Sequence, residues 1–134
     1  MSQENVELVE RAFEAINRRD VEAFLDLADG DVVQDWSRAV GPQSGIYRGR
    51  AEVRTFLHSW WDAFDESVIV VDELIDAGDR VVSPFHGRQR GRASGVELEG
   101  RGSVLVWTVR AGSIVSATLY QERDEALEAV GLSA

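Results

Sequence analysis

The chain has 134 residues, 44% of them hydrophobic, and a formal net charge of −10 at pH 7, which indicates one globular domain and excludes disorder and a membrane-spanning helix. It contains no cysteine and no lysine, which excludes disulfides, thiol nucleophiles, thiolate metal sites and Schiff-base chemistry. The acidic balance disfavours nucleic acid and membranes as partners, because their negative charge repels it.

The N-terminal part predicts two helices followed by a strand. Apolar residues recur at helical spacing over residues 3–18, a pattern typical of an amphipathic helix that packs one face on a core. Asp20 is placed to cap a second helix over residues 21–28. Residues 31–36 then predict a strand that carries Asp35 into an apolar setting.

A turn-rich segment and a third helix follow. Residues 37–49 contain glycine, proline and serine, which predicts an ordered loop over one end of the domain. Over residues 50–64 the apolar positions fit the i, i+3, i+4 pattern of a helix with a wide apolar face. These positions are Val53, Phe56, Leu57, Trp60, Trp61 and Phe64.

The rest of the chain predicts four strands and a short closing helix, because β-branched runs alternate with turn signals such as Ala111-Gly112. The strands are predicted at 68–75, 80–92, 96–110 and 113–122, and the helix at 124–132. Helices first and strands afterwards predict an α+β fold with helices on one face of an antiparallel sheet. We expect a single domain over residues 1–134.

The order of elements between Arg11 and Trp36 resembles the start of the nuclear transport factor 2-like superfamily, and within it the SnoaL-like group. Ketosteroid isomerases, scytalone dehydratase and SnoaL-type polyketide cyclases share this fold. The matching segments are Asn17-Arg-Arg-Asp20 and Val33-Gln-Asp-Trp36. The resemblance covers about residues 3–123. It implies a cone-shaped α+β fold, in which the N-terminal helices pack on the concave face of a curved antiparallel sheet and a pocket lies inside the cone.

The resemblance also implies a position for acid–base chemistry. It puts Asp35 where ketosteroid isomerases hold their general base, in an apolar setting that raises the pKa of a carboxyl. The two groups that stabilise the enolate in those isomerases are replaced here by Ala12 (or Phe13, if the register slips) and Leu105. Neither side chain donates a hydrogen bond, so we do not expect steroid isomerase activity by that mechanism. The alternative for Asp35 is a structural carboxylate bound to the adjacent loop or to an arginine.

Strand alternation extends the predicted pocket. The same resemblance turns the His86 face of strand 80–92 into the cone, which predicts His86 as an acid–base partner of Asp35 or, alternatively, as a structural histidine. On the later strands the predicted inward residues are Ser103, Leu105, Trp107, Ser116, Thr118 and Tyr120. The predicted ligand-binding residues are Phe56, Trp60, Arg88, Leu105, Trp107 and Tyr120. Arg88, Arg90 and Arg92 alternate along one strand, where they either clamp an anionic group or neutralise nearby acids.

Two functions remain open. The first is a cofactor-independent isomerase, cyclase or dehydratase that uses Asp35 and His86 on an apolar carbonyl or hydroxyl compound. The second is a non-catalytic module that binds a ligand or dimerises. Epoxide hydrolase chemistry, also known on this fold, needs an acid–arginine–acid set. Arg88 supplies a middle member, but no second acid lies on the inward strand positions, so this function ranks third. We expect no cofactor and no metal, since the two histidines lie on separate elements.

The expected partners are a small apolar or polycyclic ligand and a second copy of the chain. Apolar residues are predicted on the outer sheet face as well as the inner one, and a homodimer through the outer face is the simplest cover for them. The predicted outer set is Val104, Val106, Ala117 and Leu119. With no cysteine and no basic-then-apolar start, we expect a cytoplasmic protein.

Overall fold

The computed structural model describes residues 2–39, 44–91, 97–99 and 102–132. The helices are α1 (Ser2–Asn17), α2 (Val21–Asp26), α3 (Gly49–Asp62) and α4 (Arg123–Ala129). The strands are β1 (Ala28–Asp35), β2 (Ile46–Arg48), β3 (Phe64–Val71), β4 (Ile75–Ala77), β5 (Arg80–Gly91), β6 (Glu97–Glu99), β7 (Ser103–Arg110) and β8 (Ser113–Tyr120). Part of the predicted loop 37–49, Arg92 and the side chain of Arg90 lie outside the described residues.

The strands form one curved sheet in the order β2-β1-β8-β7-β5-β3, and β4 and β6 pair with β5. The described pairs are antiparallel apart from β1 with β8, which run parallel, so the sheet is mixed rather than purely antiparallel as predicted. A hairpin turn forces its two strands to be antiparallel. No hairpin joins β1 to β8, because the rest of the domain lies between them in the sequence.

The helices α1, α2 and α3 pack on the concave face of this sheet and enclose the main core with it. Trp107 lies at the centre of the core with no exposed surface. Its ring makes edge-on contacts with Phe13 at 5.2 Å and Phe24 at 6.4 Å between centroids. The contacts join α1, α2 and β7, so burial of the apolar helix faces, as the periodicity predicts, builds the cone. None of the described helices has the length and apolar character needed to cross a membrane.

Two polar side chains fix the helices at defined positions. Asp20 caps α2 as predicted, since its Oδ1 accepts a hydrogen bond of 3.0 Å from the Ala23 N–H. Asn17, at the end of α1, donates from Nδ2 to the Ile69 carbonyl at 2.9 Å and accepts from the Ile69 N–H at 2.8 Å. This paired contact fastens the end of α1 to β3.

On the convex face of the sheet, α4 covers part of the apolar surface that the sequence assigned to a second copy. Ala126 and Leu127 of α4 pack on Val82, Val104 and Val106. Two polar contacts hold the helix, one from Arg80 Nη1 to the Ala129 carbonyl at 2.8 Å and one from Arg123 Nη1 to Glu73 at 2.8 Å. Part of the apolar convex face is therefore covered by the chain's own helix, and dimerisation through this face stays a prediction.

The predicted facing of β8 is wrong, and a bulge explains why. Leu105 and Trp107 of β7 face the core as predicted. Their partners across the ladder are Leu119 and Ala117, and directly paired residues share a face. The register shifts at the other end of this pair, where Val109 lies opposite Ile114. One extra residue in β8 thus reverses the alternation that begins at Ile114, so Ser116, Thr118 and Tyr120 lie on the convex face.

The predicted facing of β5 is also wrong. Val81 and Phe85 belong to the main core and Ser83 is fully buried, whereas Val82 packs under α4. His86 and Arg88 share the parity of Val82 and therefore the convex face. Both faces of β5 carry apolar residues, so hydrophobicity alone does not decide which of its alternate residues face the core.

Candidate functional site

An internal cavity lies between α3 and the concave face of the sheet. Its volume is about 20 Å³, which is room for about one water molecule. Its walls come from α1, α3 and three strands, β1, β3 and β7. The lining residues are Ile16, Gln34, Trp36, Phe56, Leu57, Trp60, Ile69, Leu105 and Trp107.

An aromatic layer closes the cavity. Trp36 contacts Phe56 and Trp60, with ring centroids 5.3 and 5.5 Å apart, and Tyr47 stacks on the outer side of Phe56 at 4.3 Å. Of the lining residues, only Trp60 is partly exposed. Trp60 therefore lies on the solvent side of the cavity.

Buried polar groups around the cavity form short, ordered contacts. The Trp107 indole donates from Nε1 to Ser83 Oγ at 2.9 Å, and Ser83 Oγ donates to the Leu105 carbonyl at 2.8 Å. Trp36 donates from Nε1 to Gln34 Oε1 at 3.0 Å. The side chain of Gln34 is 5% exposed, which is unusual for a glutamine. The cavity thus has apolar walls and one buried amide.

Alternation along β1 explains why Gln34 is inside. Val32, Gln34 and Trp36 are buried, whereas Val33 and Asp35 are half-buried on the other face. Gln34 is not among the residues that the sequence predicts for the site, because the resemblance draws attention to Asp35. The signal that points to it is a polar residue in phase with Val32 and Trp36.

Asp35 lies on the convex face and its carboxylate is bound locally. Oδ1 accepts hydrogen bonds from the Ser37 N–H at 3.0 Å and from Ser37 Oγ at 2.6 Å. Partial burial raises the pKa of Asp35, but these two bonds and the nearby Arg38 and Arg48 outweigh it and hold the pKa below its usual value. The structural alternative for Asp35, a carboxylate bound to the adjacent loop, describes what the structure shows.

His86 is held on the same convex face by Asp72. Its Nδ1 lies 3.0 and 3.2 Å from the two carboxylate oxygens, and a carboxylate accepts only, so Nδ1 carries the hydrogen. Three strand spacings separate β1 from β5 in the sheet order, which at about 4.8 Å per strand is a lateral separation of roughly 14 Å. Along the ladder Asp35 is level with Val82, so His86 lies further away still, beyond Val82 on β5. The structure does not bring them together at the cavity, and a catalytic role for either residue stays a prediction.

The predicted ligand-binding residues divide into two groups. Phe56, Trp60, Leu105 and Trp107 line the cavity. Arg88 is exposed on the convex face. Tyr120 shares that face and lies under the guanidinium of Arg38, 4.5 Å from the ring centroid. Arg88 and Tyr120 therefore do not contribute to this cavity, because it lies on the other face of the sheet.

A wider surface groove of about 640 Å³ lies between α1 and β3. Several of its polar groups already have partners within the protein. Asn17 binds the backbone of Ile69, Asp72 holds His86, and Glu73 binds Arg123. These contacts connect helices and strands, so the groove is part of the framework and the enclosed cavity is the better candidate for a site.

The cone, its helices and the cavity between α3 and the sheet together define a protein of the nuclear transport factor 2-like class. A family model described as the SnoaL-like domain matches residues 9–117. The chain therefore belongs to the SnoaL-like family. Among curated proteins, none matches the sequence.

Solved structures with the same fold agree with this assignment. A nuclear transport factor 2-like protein of unknown function from Burkholderia pseudomallei is 24% identical with a TM-score of 0.75, covering 96% of this chain and 98% of that one. The protein TerC, co-crystallised with polyporic acid, is 21% identical with a TM-score of 0.75, covering 95% and 98%. A Mycobacterium tuberculosis protein in complex with estradiol-17β-hemisuccinate is 20% identical with a TM-score of 0.72, covering 87% and 92%. At these identities the likeness concerns the fold.

Proposed function

We propose that this protein binds a small, flat, largely apolar molecule in the cavity between α3 and the sheet. The observation that carries the proposal is the cavity wall of three aromatic rings, Trp36, Phe56 and Trp60, facing Leu105 and Trp107. Flat aromatic walls favour a ligand that can stack on them. Two structures of similar fold were crystallised with small organic molecules, which supports a small-molecule ligand for this chain.

The chemistry of the lining favours binding over acid–base catalysis. None of the described residues that line the cavity titrates. Proton transfer needs such a group within hydrogen-bond reach of the reacting atom or one water away. Asp35 and His86 are on the opposite face of the sheet, and the low pKa of Asp35 makes it a weak base.

Binding requires the cavity to open. A volume of about 20 Å³ holds about one water, so a ring compound enters only if an aromatic side chain moves. Trp60 is the candidate, because it is the partly exposed residue among those that line the cavity. Rotation of this one side chain enlarges the cavity without unfolding α3.

Titration with indane and 1-indanone, followed by the indole N–H signals of the tryptophans in NMR spectra, tests the proposal. We expect the signals of Trp36, Trp60 and Trp107 to shift with either compound. Ile69→Phe fills the cavity and should abolish the shifts. Val70→Phe makes a matched change on the neighbouring convex position of β3 and should retain them.

Thermal unfolding of both variants shows whether they remain folded, since overpacking costs about 1–3 kcal/mol. Unshifted tryptophan signals in the wild-type protein with both compounds would overturn the proposed function. Equal loss of binding in Ile69→Phe and Val70→Phe would show that the ligand lies elsewhere.

A further inference from the structure

We infer that Gln34 determines which ligands the cavity accepts, and that it selects neutral compounds carrying a carbonyl or a similar hydrogen-bond acceptor. The inference rests on the proposed function, which requires only an apolar ring compound. It adds a chemical group that the ligand presents to the protein and names the residue that recognises it.

The orientation of the Gln34 amide is fixed by its neighbour. The Trp36 indole can only donate, so the atom 3.0 Å from its Nε1 is the amide oxygen, Oε1. The NH₂ group therefore points away from this contact. The assignment follows from the chemistry of the partner rather than from the atoms of the amide themselves.

The NH₂ group of Gln34 is a hydrogen-bond donor without a protein acceptor among the described residues. Gln34 is 5% exposed and lines the cavity. Within the part of the chain that the structure describes, the side chain of Gln34 has one hydrogen bond, from Trp36, and its amide nitrogen donates to no protein atom. This nitrogen is not among the fully buried side-chain atoms that lack a partner, so it is accessible to a molecule in the cavity. A ligand that displaces water from this donor retains the hydrogen bond only if it supplies an acceptor in its place.

The other lining residues restrict the ligand further. The indoles of Trp36 and Trp107 already donate to Gln34 and Ser83. None of the described lining residues carries a positive charge, so a carboxylate or phosphate would be buried without a counter-charge. A neutral ketone, quinone or lactone oxygen fits the site, whereas a hydrocarbon of the same shape leaves the amide unpaired.

Trp36 affects the selectivity for ligands indirectly, by positioning the amide of Gln34. It holds the amide oxygen, and so keeps the NH₂ group toward the cavity. Without the indole N–H the amide can turn over and present its oxygen instead. Replacing Trp36 should therefore reduce the preference for acceptors even though Gln34 is still present.

The experiment compares 1-indanone with indane, which share a ring skeleton and differ in one carbonyl. Dissociation constants come from NMR titration of the wild-type protein, Gln34→Leu, Gln34→Met and Trp36→Phe, with circular dichroism as the test of folding. In the wild type we expect 1-indanone to bind about tenfold more tightly, the size of one net hydrogen bond. Only the ketone should shift the side-chain N–H signals of Gln34.

In Gln34→Leu and Gln34→Met the preference should fall to about one, because both variants lack the donor. In Trp36→Phe the ratio of the two constants should fall below the wild-type ratio, whereas a merely structural role would weaken both ligands equally. Equal affinities of the two compounds for the wild type, or an unchanged ratio in the Gln34 variants, would overturn the inference and leave the proposed function intact. Absence of binding by either compound would overturn both.

Discussion

Gln34 and Asp35 are consecutive residues of β1 with opposite environments. Gln34 is buried beside the cavity, and Asp35 binds the Ser37 turn on the convex face. A one-residue shift along a strand exchanges the two faces of a sheet. The carboxylate is thus a local structural group, and the polar contact available to a ligand is an amide, which does not change charge with pH.

We expect Asp35→Ala to lower the free energy of unfolding at pH 7 by about 1 kcal/mol, because both hydrogen bonds from Ser37 are lost. Asp35→Asn should cost less, since an amide oxygen accepts the same bonds. Urea unfolding measures both effects, and Asp31→Asn, an exposed acid of the same strand, serves as the control.

The pH dependence of Asp35→Asn follows from its depressed pKa in the folded protein. The charge of Asp35 stabilises the fold fully above the ordinary carboxyl value of 3.8, and this contribution is lost as the pH falls through the lower folded pKa. The difference in free energy of unfolding between wild type and Asp35→Asn should therefore become smaller as the pH falls below 3.8. A gap that widens on acidification would contradict the assignment.

At the scale of elements, the sequence predicts the helices, but it does not predict which residues of each strand face the core. The third helix, predicted at 50–64 and observed as Gly49–Asp62, has one apolar face, so its periodicity also places Phe56 and Trp60 inside. In β5 and β8 both faces carry apolar residues, and periodicity does not choose between them. The bulge in β8 and the cover by α4 are tertiary features, and they decide the facing of His86 and Tyr120.

We expect Leu127→Ala to destabilise the protein by about 2 kcal/mol, because it removes a buried side chain from the contact between α4 and the convex face. Glu128→Ala, an exposed position of the same helix, should change stability by less than about 0.5 kcal/mol. Urea unfolding gives both values. Similar values for the two variants would show that α4 does not contribute to the folded state.

The same variants bear on self-association. Loosening α4 exposes Val82, Val104 and Val106, an apolar patch of the kind that binds another surface. Light scattering after gel filtration should show more self-association for Leu127→Ala than for Glu128→Ala. A homodimer in the wild-type protein would have to use the part of the convex face that α4 leaves uncovered.

At the scale of the whole molecule, the surface charges and the proposed binding cavity lie in different places. The chain carries a net charge of −10, whereas none of the described residues lining the cavity is charged. Between the surface charges and the cavity lie the sheet and the aromatic layer. Titration of surface groups therefore has little effect on a neutral ligand.

We expect the dissociation constant of 1-indanone to vary less than about twofold between pH 5.5 and 9, since recognition depends on an amide and on apolar contacts. Calorimetric or NMR titrations at several pH values provide the test. Asp35→Asn should give the same flat profile. A titration step that disappears in Asp35→Asn would instead support the acid–base function predicted from the resemblance.

The parallel pairing of β1 with β8 determines the order in which the chain can fold. Val33 lies beside Ser116, although they are far apart in the sequence, and closing such a contact is entropically costly. Neighbouring strands β7 and β8 form a local hairpin, which provides the edge that β1 needs. β1 can pair with β2 early, but its other edge has no partner until β8 has been synthesised. We therefore expect the pairing of β1 with β8, which completes this wall of the cavity, to form after the β7–β8 hairpin.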